Sequence, residues 1–184
     1  MSRINNIDLE KINYFVNEIK SDLTKARKTQ VLEGEWNLND PTSQFQALLK
    51  YEKGEMVLKM DSPSFMGGNG NFPGPLHYCF YGLLSCYTGV FVATCSMLGV
   101  KLKKLSARVE ADINFSRVFG LSDAPIMEEV RLKLFVESED SEEKIREAEK
   151  LASERCPAVY TLTHPVKFAP SLHISKPVGQ EKTS

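Results

Sequence analysis

Cysteine, histidine and tryptophan are scarce in this chain, at four, three and one in 184 residues. So few cysteines exclude a disulfide scaffold, which needs several times that density. The histidines and cysteines are too dispersed to make a zinc site, and no cofactor motif accompanies them, so neither metal nor cofactor is expected. A basic surplus is lacking too. With 23 Lys and Arg against 24 Asp and Glu the net charge is −1, and nucleic acid is not an expected partner. The opening MSRINNIDLEKINY holds no apolar core of about seven or more residues, so no signal peptide is read and the reducing cytoplasm is the expected compartment. There, cysteines persist mainly as thiols. What remains is the composition of one ordinary globular domain, 42% apolar and 26% charged.

The more informative absences are local. No Asp, Glu, Lys or Arg occurs from residue 62 to residue 100, and no arginine between Arg27 and Arg108. The second part of that uncharged stretch, LHYCFYGLLSCYTGVFVATCSMLGV, is long enough to cross a membrane. His77, Ser85, Thr88, Thr94 and Ser96 interrupt it and no Lys or Arg flanks its amino side, so a membrane partner is not expected. It reads instead as a helix buried on nearly all sides, starting near Pro75, which suits the first helical position, and ending at Gly99. The preceding MGGNGNFPG lacks the Gly-Lys-Ser/Thr ending of a phosphate loop and reads as a flexible loop.

Around this stretch the pattern is that of an α+β fold, antiparallel sheets about a buried central helix. Leu9, Ile12, Val16, Ile19 and Leu23 form one stripe of an amphipathic helix from about Ile7 to Arg27, so residues 1–27 are set apart as an N-terminal helix. That stripe packs either on its own domain or against a copy of itself. QVLEGEW, QFQALLKYE and EMVLKMD read as three strands in antiparallel hairpins, with Trp36 in the core. KLKKLSARVEADINF and MEEVRLKLFVES are two further alternating strands, and SEEKIREAEKLASER is an amphipathic helix stopped by Pro157. A last strand, through Val159 to Phe168 or in SLHIS, completes a domain of residues 28–175, and the polar tail 176–184 is expected to be mobile.

Helix geometry sorts the thiols. On one helix Cys79, Cys86 and Cys95 lie about 10 and 13 Å apart along the axis, too far for a bridge that needs Cα atoms within about 7 Å. Cys156 falls in phase with Ile145 and Ala152 on the inward face of its own helix, aimed at the stripe that Cys86 and Cys79 share. Two readings stay open at this level: a reversible dithiol, or four buried cysteines acting as small hydrophobes.

The segment GLLSCYTGVFVATCSMLGVKLKKLSARVEADI, followed by SEEKIREAEKLASERCPAVYTLTHPVKF, resembles the OsmC/Ohr family of thiol-dependent hydroperoxide reductases over approximately residues 30 to 175. The most specific element is a pair: Cys86 within an uncharged helix ending in Gly-Val, and Cys156 followed by Pro157 after a charged helix. The resemblance implies an OsmC-like fold in which strands of two chains intertwine into a homodimer. It implies a peroxidatic Cys86 resolved by Cys156, an organic hydroperoxide as substrate, and a dithiol reductant such as a lipoyl group. Family peroxidases place an acid about nine positions before the reactive cysteine and direct an arginine onto the thiolate. Here His77 occupies the acid's position, either as an imidazolium beside the Cys86 thiolate or as a structural histidine. The expected function is therefore a thiol peroxidase acting in oxidative stress. The alternative is an OsmC-like dimer without peroxidase activity, binding an apolar small molecule or sensing redox state.

Overall fold

The computed structural model describes residues 3–175, so the expected mobile tail, 176–184, lies outside them. The chain opens on a short antiparallel hairpin, β1 (Arg3–Ile4) and β2 (Ile7–Asp8), turned by Asn5 and Asn6 at φ 52 and 64. Asparagine tolerates that left-handed conformation, and two such residues in succession make the tight turn whose twist suits a hairpin. Asp8 caps helix α1 (Leu9–Ser21), accepting from the Lys11 N–H at 3.3 Å, and a short 3₁₀ turn follows at Leu23–Ala26.

The predicted first helix is thus shorter than expected and none of its residues is buried, because its stripe finds no full partner among the described residues. What ties this region down is the hairpin. The Asn5 amide donates to the Val100 carbonyl at 2.8 Å and to Ser96 Oγ at 3.1 Å, and its carbonyl accepts from the Leu102 N–H at 2.8 Å.

Strands β3 (Gly34–Trp36), β4 (Phe45–Tyr51) and β5 (Gly54–Met60) form an antiparallel sheet in the order β3-β4-β5, in the expected places. Trp36 was expected in the core and is instead 53% exposed, because its face of this small sheet has no layer packed on it. A glycine-rich loop then wraps around Asp61, whose buried Oδ2 accepts from the Asn69 and Asn71 N–H groups at 3.1 and 3.0 Å.

Helix α2 (Pro75–Met97) begins at Pro75, with Gly74 as N-cap, and stops where Gly99 takes φ +75 and the Val100 N–H reaches back to the Cys95 carbonyl at 2.8 Å. Strands β6 (Leu102–Ala111) and β7 (Val130–Ser138) pair antiparallel, with a one-turn helix α3 (Phe115–Val118) in their connection. Helix α4 (Glu142–Arg155) packs on α2 through Ala148 and Ala152, both fully buried and small enough to let the two backbones approach.

The expected final strand is instead a helix, α5 (Pro157–Thr163). Proline cannot continue α4, lacking an N–H, but it suits the first position of a new helix, so Cys156 ends one helix and caps the next.

The core joins Tyr87, Phe91, Cys95 and Val100 to Ala148, Ala152 and Cys156. Helix α2 departs from the expectation of burial on nearly all sides. Leu83, Tyr87, Phe91, Thr94, Cys95 and Ser96 are buried, whereas Cys79, Tyr81, Gly82, Ser85 and Gly89 face outward. Among the described residues α4, α5 and β6 lie against α2, with β2 at its carboxyl end, and they leave the face of Tyr81, Ser85 and Gly89 uncovered.

Candidate active site

Cys86 sits near the middle of α2, half-buried, and Cys156 at the α4–α5 junction, fully buried. The phase relation read from the sequence brings them together: the Cys156 and Cys86 sulfurs lie 3.5 Å apart, in thiol–thiol contact. All four cysteines are free thiols, and a bond of about 2.05 Å would need only a modest approach of the two sulfurs. Cys79 is exposed and Cys95 is buried deep in the core, where burial, helped by the Asp140 charge, pushes its thiol up to about 11. Neither meets another cysteine.

Burial also raises the Cys86 thiol above its ordinary value, and the neighbouring Cys156 adds to the effect. The Ala158 N–H, at the start of α5, works in the opposite sense by hydrogen-bonding the sulfur. Among the described residues no lysine, arginine or histidine contributes to that balance. A thiolate here therefore rests on one backbone donor, without the cation that ordinarily lowers a reactive cysteine.

His77 lies at the amino end of α2, nine residues or about 13 Å along the axis from Cys86. Its Nδ1 accepts from the Gly74 N–H at 3.1 Å, which closes the first turn and leaves Nε2 as the protonated nitrogen of the neutral ring. The chain thus brings Cys86 and Cys156 together and does not bring His77 to them.

Sequence reasoning missed a polar cluster beside the thiols. The Tyr87 hydroxyl lies 2.7 Å from Glu149 Oε1 and 3.0 Å from Ser153 Oγ, and Ser153 donates to the same carboxylate oxygen at 3.1 Å. Desolvation, reinforced by the Glu149 charge, pushes the Tyr87 phenol up to about 12, so it remains a donor. The available signal was Tyr87 next to Cys86, with Glu149 and Ser153 one turn apart and Ser153 three residues before Cys156. A cavity of about 650 Å³ is lined by Tyr87, Glu149 and Ser153 together with Leu83, Leu132 and Val159.

No curated protein matches the chain. Among solved structures it resembles an OsmC-like protein from Mycoplasma pneumoniae at 22% identity and TM-score 0.55, covering 73% of this chain and 87% of that one. An OsmC-like protein of unknown function from Vibrio cholerae aligns at 12% identity and TM-score 0.51, over 74% and 95% of the two chains. An organic hydroperoxide resistance protein OsmC from Legionella pneumophila aligns at 12% identity and TM-score 0.52, over 74% and 92%. At these identities the likeness is one of fold. The family model for OsmC-like proteins matches residues 68–171, which include the central helix, both strands after it, and the two cysteines that meet at the α4–α5 junction. The chain belongs to the OsmC-like protein family.

Proposed function

We propose that the chain is a thiol-dependent reductase of organic hydroperoxides, with Cys86 attacking and Cys156 resolving. The carrying observation is the 3.5 Å contact between the two sulfurs, brought together from elements 70 residues apart. In the proposed cycle the Cys86 thiolate attacks the distal peroxide oxygen, the O–O bond breaks, and the departing alkoxide takes a proton to leave as the alcohol. Cys86 becomes a sulfenic acid. The Cys156 thiolate then displaces its hydroxide, which leaves as water with a proton, and the disulfide forms. A small dithiol such as a lipoyl group reduces that disulfide by exchange and is itself oxidised to a cyclic disulfide. Such a cycle suits the cytoplasm, where dithiol reductants are kept reduced.

The active unit is proposed to be a homodimer. Tyr81 on α2 is 73% exposed, and Met56 and Val57 on β5 are about half exposed, apolar surface that a second copy would cover. A catalytic part for His77 requires that second copy to carry its ring to the thiols. The test is consumption of cumene hydroperoxide with dihydrolipoamide. Turnover lost in Cys86→Ser is the expected result; a parent chain inactive with several dithiols contradicts the proposal.

A second function is favoured by one observation, that burial holds the Cys86 thiol up with no cation beside it. It is an OsmC-like module that binds an apolar ligand, or senses redox state, without turnover. Native mass spectrometry showing a co-purified small molecule in a chain without peroxidase turnover is the result that selects it.

A further inference from the structure

We propose that Tyr87, Glu149 and Ser153 are positioning residues that hold α4 against α2 so that the thiols of Cys86 and Cys156 stay in contact, which sets the stability of their disulfide. This rests on the dithiol function above. Tyr87 follows Cys86 in α2, and Glu149 and Ser153 lie seven and three residues before Cys156. The cluster thus fastens the helix that carries Cys86 to the helix that ends at Cys156.

The remaining contact between α2 and α4 is apolar and non-directional, with Ala148 and Ala152 in one buried cluster with Phe91 and Cys95. Small apolar side chains allow two helices to approach but do not fix their rotation or slide. The Tyr87 hydrogen bonds do. The Tyr87 ring is 6% exposed and cannot swing away, and its hydroxyl donates its single proton to Glu149 Oε1. Among the described residues the other side-chain hydrogen bond between α2 and α4 or its cap is the thiol contact itself.

Disulfide formation moves the sulfurs from 3.5 Å to about 2.05 Å, a step side-chain rotation supplies if the helix backbones stay in place. With the helices free to slide, the effective concentration of one thiol at the other falls, and the disulfide becomes easier to reduce.

The experiment equilibrates the full chain in dithiothreitol redox buffers of stepped ratio and reads the Cys86–Cys156 disulfide by mass spectrometry. Tyr87→Phe keeps the ring and deletes the hydroxyl; Glu149→Ala deletes the acceptor; Glu149→Gln keeps an acceptor oxygen. Tyr87→Phe and Glu149→Ala are expected to make the disulfide about tenfold easier to reduce, a shift of about 30 mV toward less negative potential. Glu149→Gln is expected to stay within about threefold of the parent. Thermal melts of the reduced variants, with transitions as cooperative as the parent's, show that the helices are still folded. Should a variant not fold, Ser153→Ala takes its place, with an expected shift in the same direction. Potentials unchanged in Tyr87→Phe and Glu149→Ala overturn the positioning role and leave the dithiol standing. A parent chain that forms no Cys86–Cys156 disulfide with any oxidant overturns both.

Discussion

Raising the pH should activate Cys86 over an unusually alkaline range. An ordinary cysteine, with a pKa near 9, is about 1% thiolate at pH 7. Burial and the adjacent Cys156 lift Cys86 above its ordinary value, and only the Ala158 N–H acts against them, so its thiolate fraction at pH 7 falls below that of a free thiol. Alkylation by iodoacetamide reports thiolate directly. With Cys156→Ser removing the resolving thiol and peptide mass spectrometry separating the sites, the Cys86 rate should rise about tenfold for each pH unit from 6 to 8 and still be climbing above pH 9. A rate that reaches its plateau below about pH 8 would refute the reasoning. It would require a positive charge within about 4 to 6 Å of the sulfur, and none of the described residues contributes one.

Other outcomes follow from the same structure. Cys95 is fully buried and its thiol is raised to about 11, above its ordinary value near 9, so the unfolded chain loses this proton first and stability falls as pH rises from about 9 to 11. Cys95→Ala should flatten that fall by roughly 2–3 kcal/mol in urea unfolding, measured against its own value at pH 7. Asn5→Ala leaves the Leu102 N–H and the Val100 carbonyl without the partners they have now and places alanine at φ 52, which should cost about 2–4 kcal/mol. Unchanged urea midpoints would show that the hairpin does not secure the end of α2. In light scattering the chain should run as a dimer, and Gly89→Arg on the outward face of α2 should shift it toward monomer.

Much of the fold was legible because the hydrophobic periods are strong where the elements are long. Residues 62–100 lack charge, and α2 lies within that span; the alternation in KLKKLSARVEADINF and MEEVRLKLFVES gave β6 and β7. The phase of Cys156 with Ile145 and Ala152 foretold its inward direction, and the 3.5 Å sulfur contact follows from it. The expected last strand failed at Pro157. That residue stops one helix and starts another with equal ease, and local sequence does not separate these outcomes in a segment of seven residues. The exposure of Trp36 and of one side of α2 was not legible either, since apolar composition reports that a surface is to be covered and not by which chain. The Tyr87 cluster was hidden for another reason: its three residues lie on two helices, and their meeting depends on how the helices cross.

The central claim, that Cys86 and Cys156 form one redox unit, is tested most directly by a single turnover. The reduced chain is mixed with one equivalent of cumene hydroperoxide, quenched with an alkylating agent, and mapped by peptide mass spectrometry. The expected product is a disulfide joining Cys86 and Cys156, with one equivalent of the alcohol released and Cys79 and Cys95 recovered as alkylated thiols. Recovery of Cys86 and Cys156 as alkylated thiols with the hydroperoxide unconsumed would contradict the account.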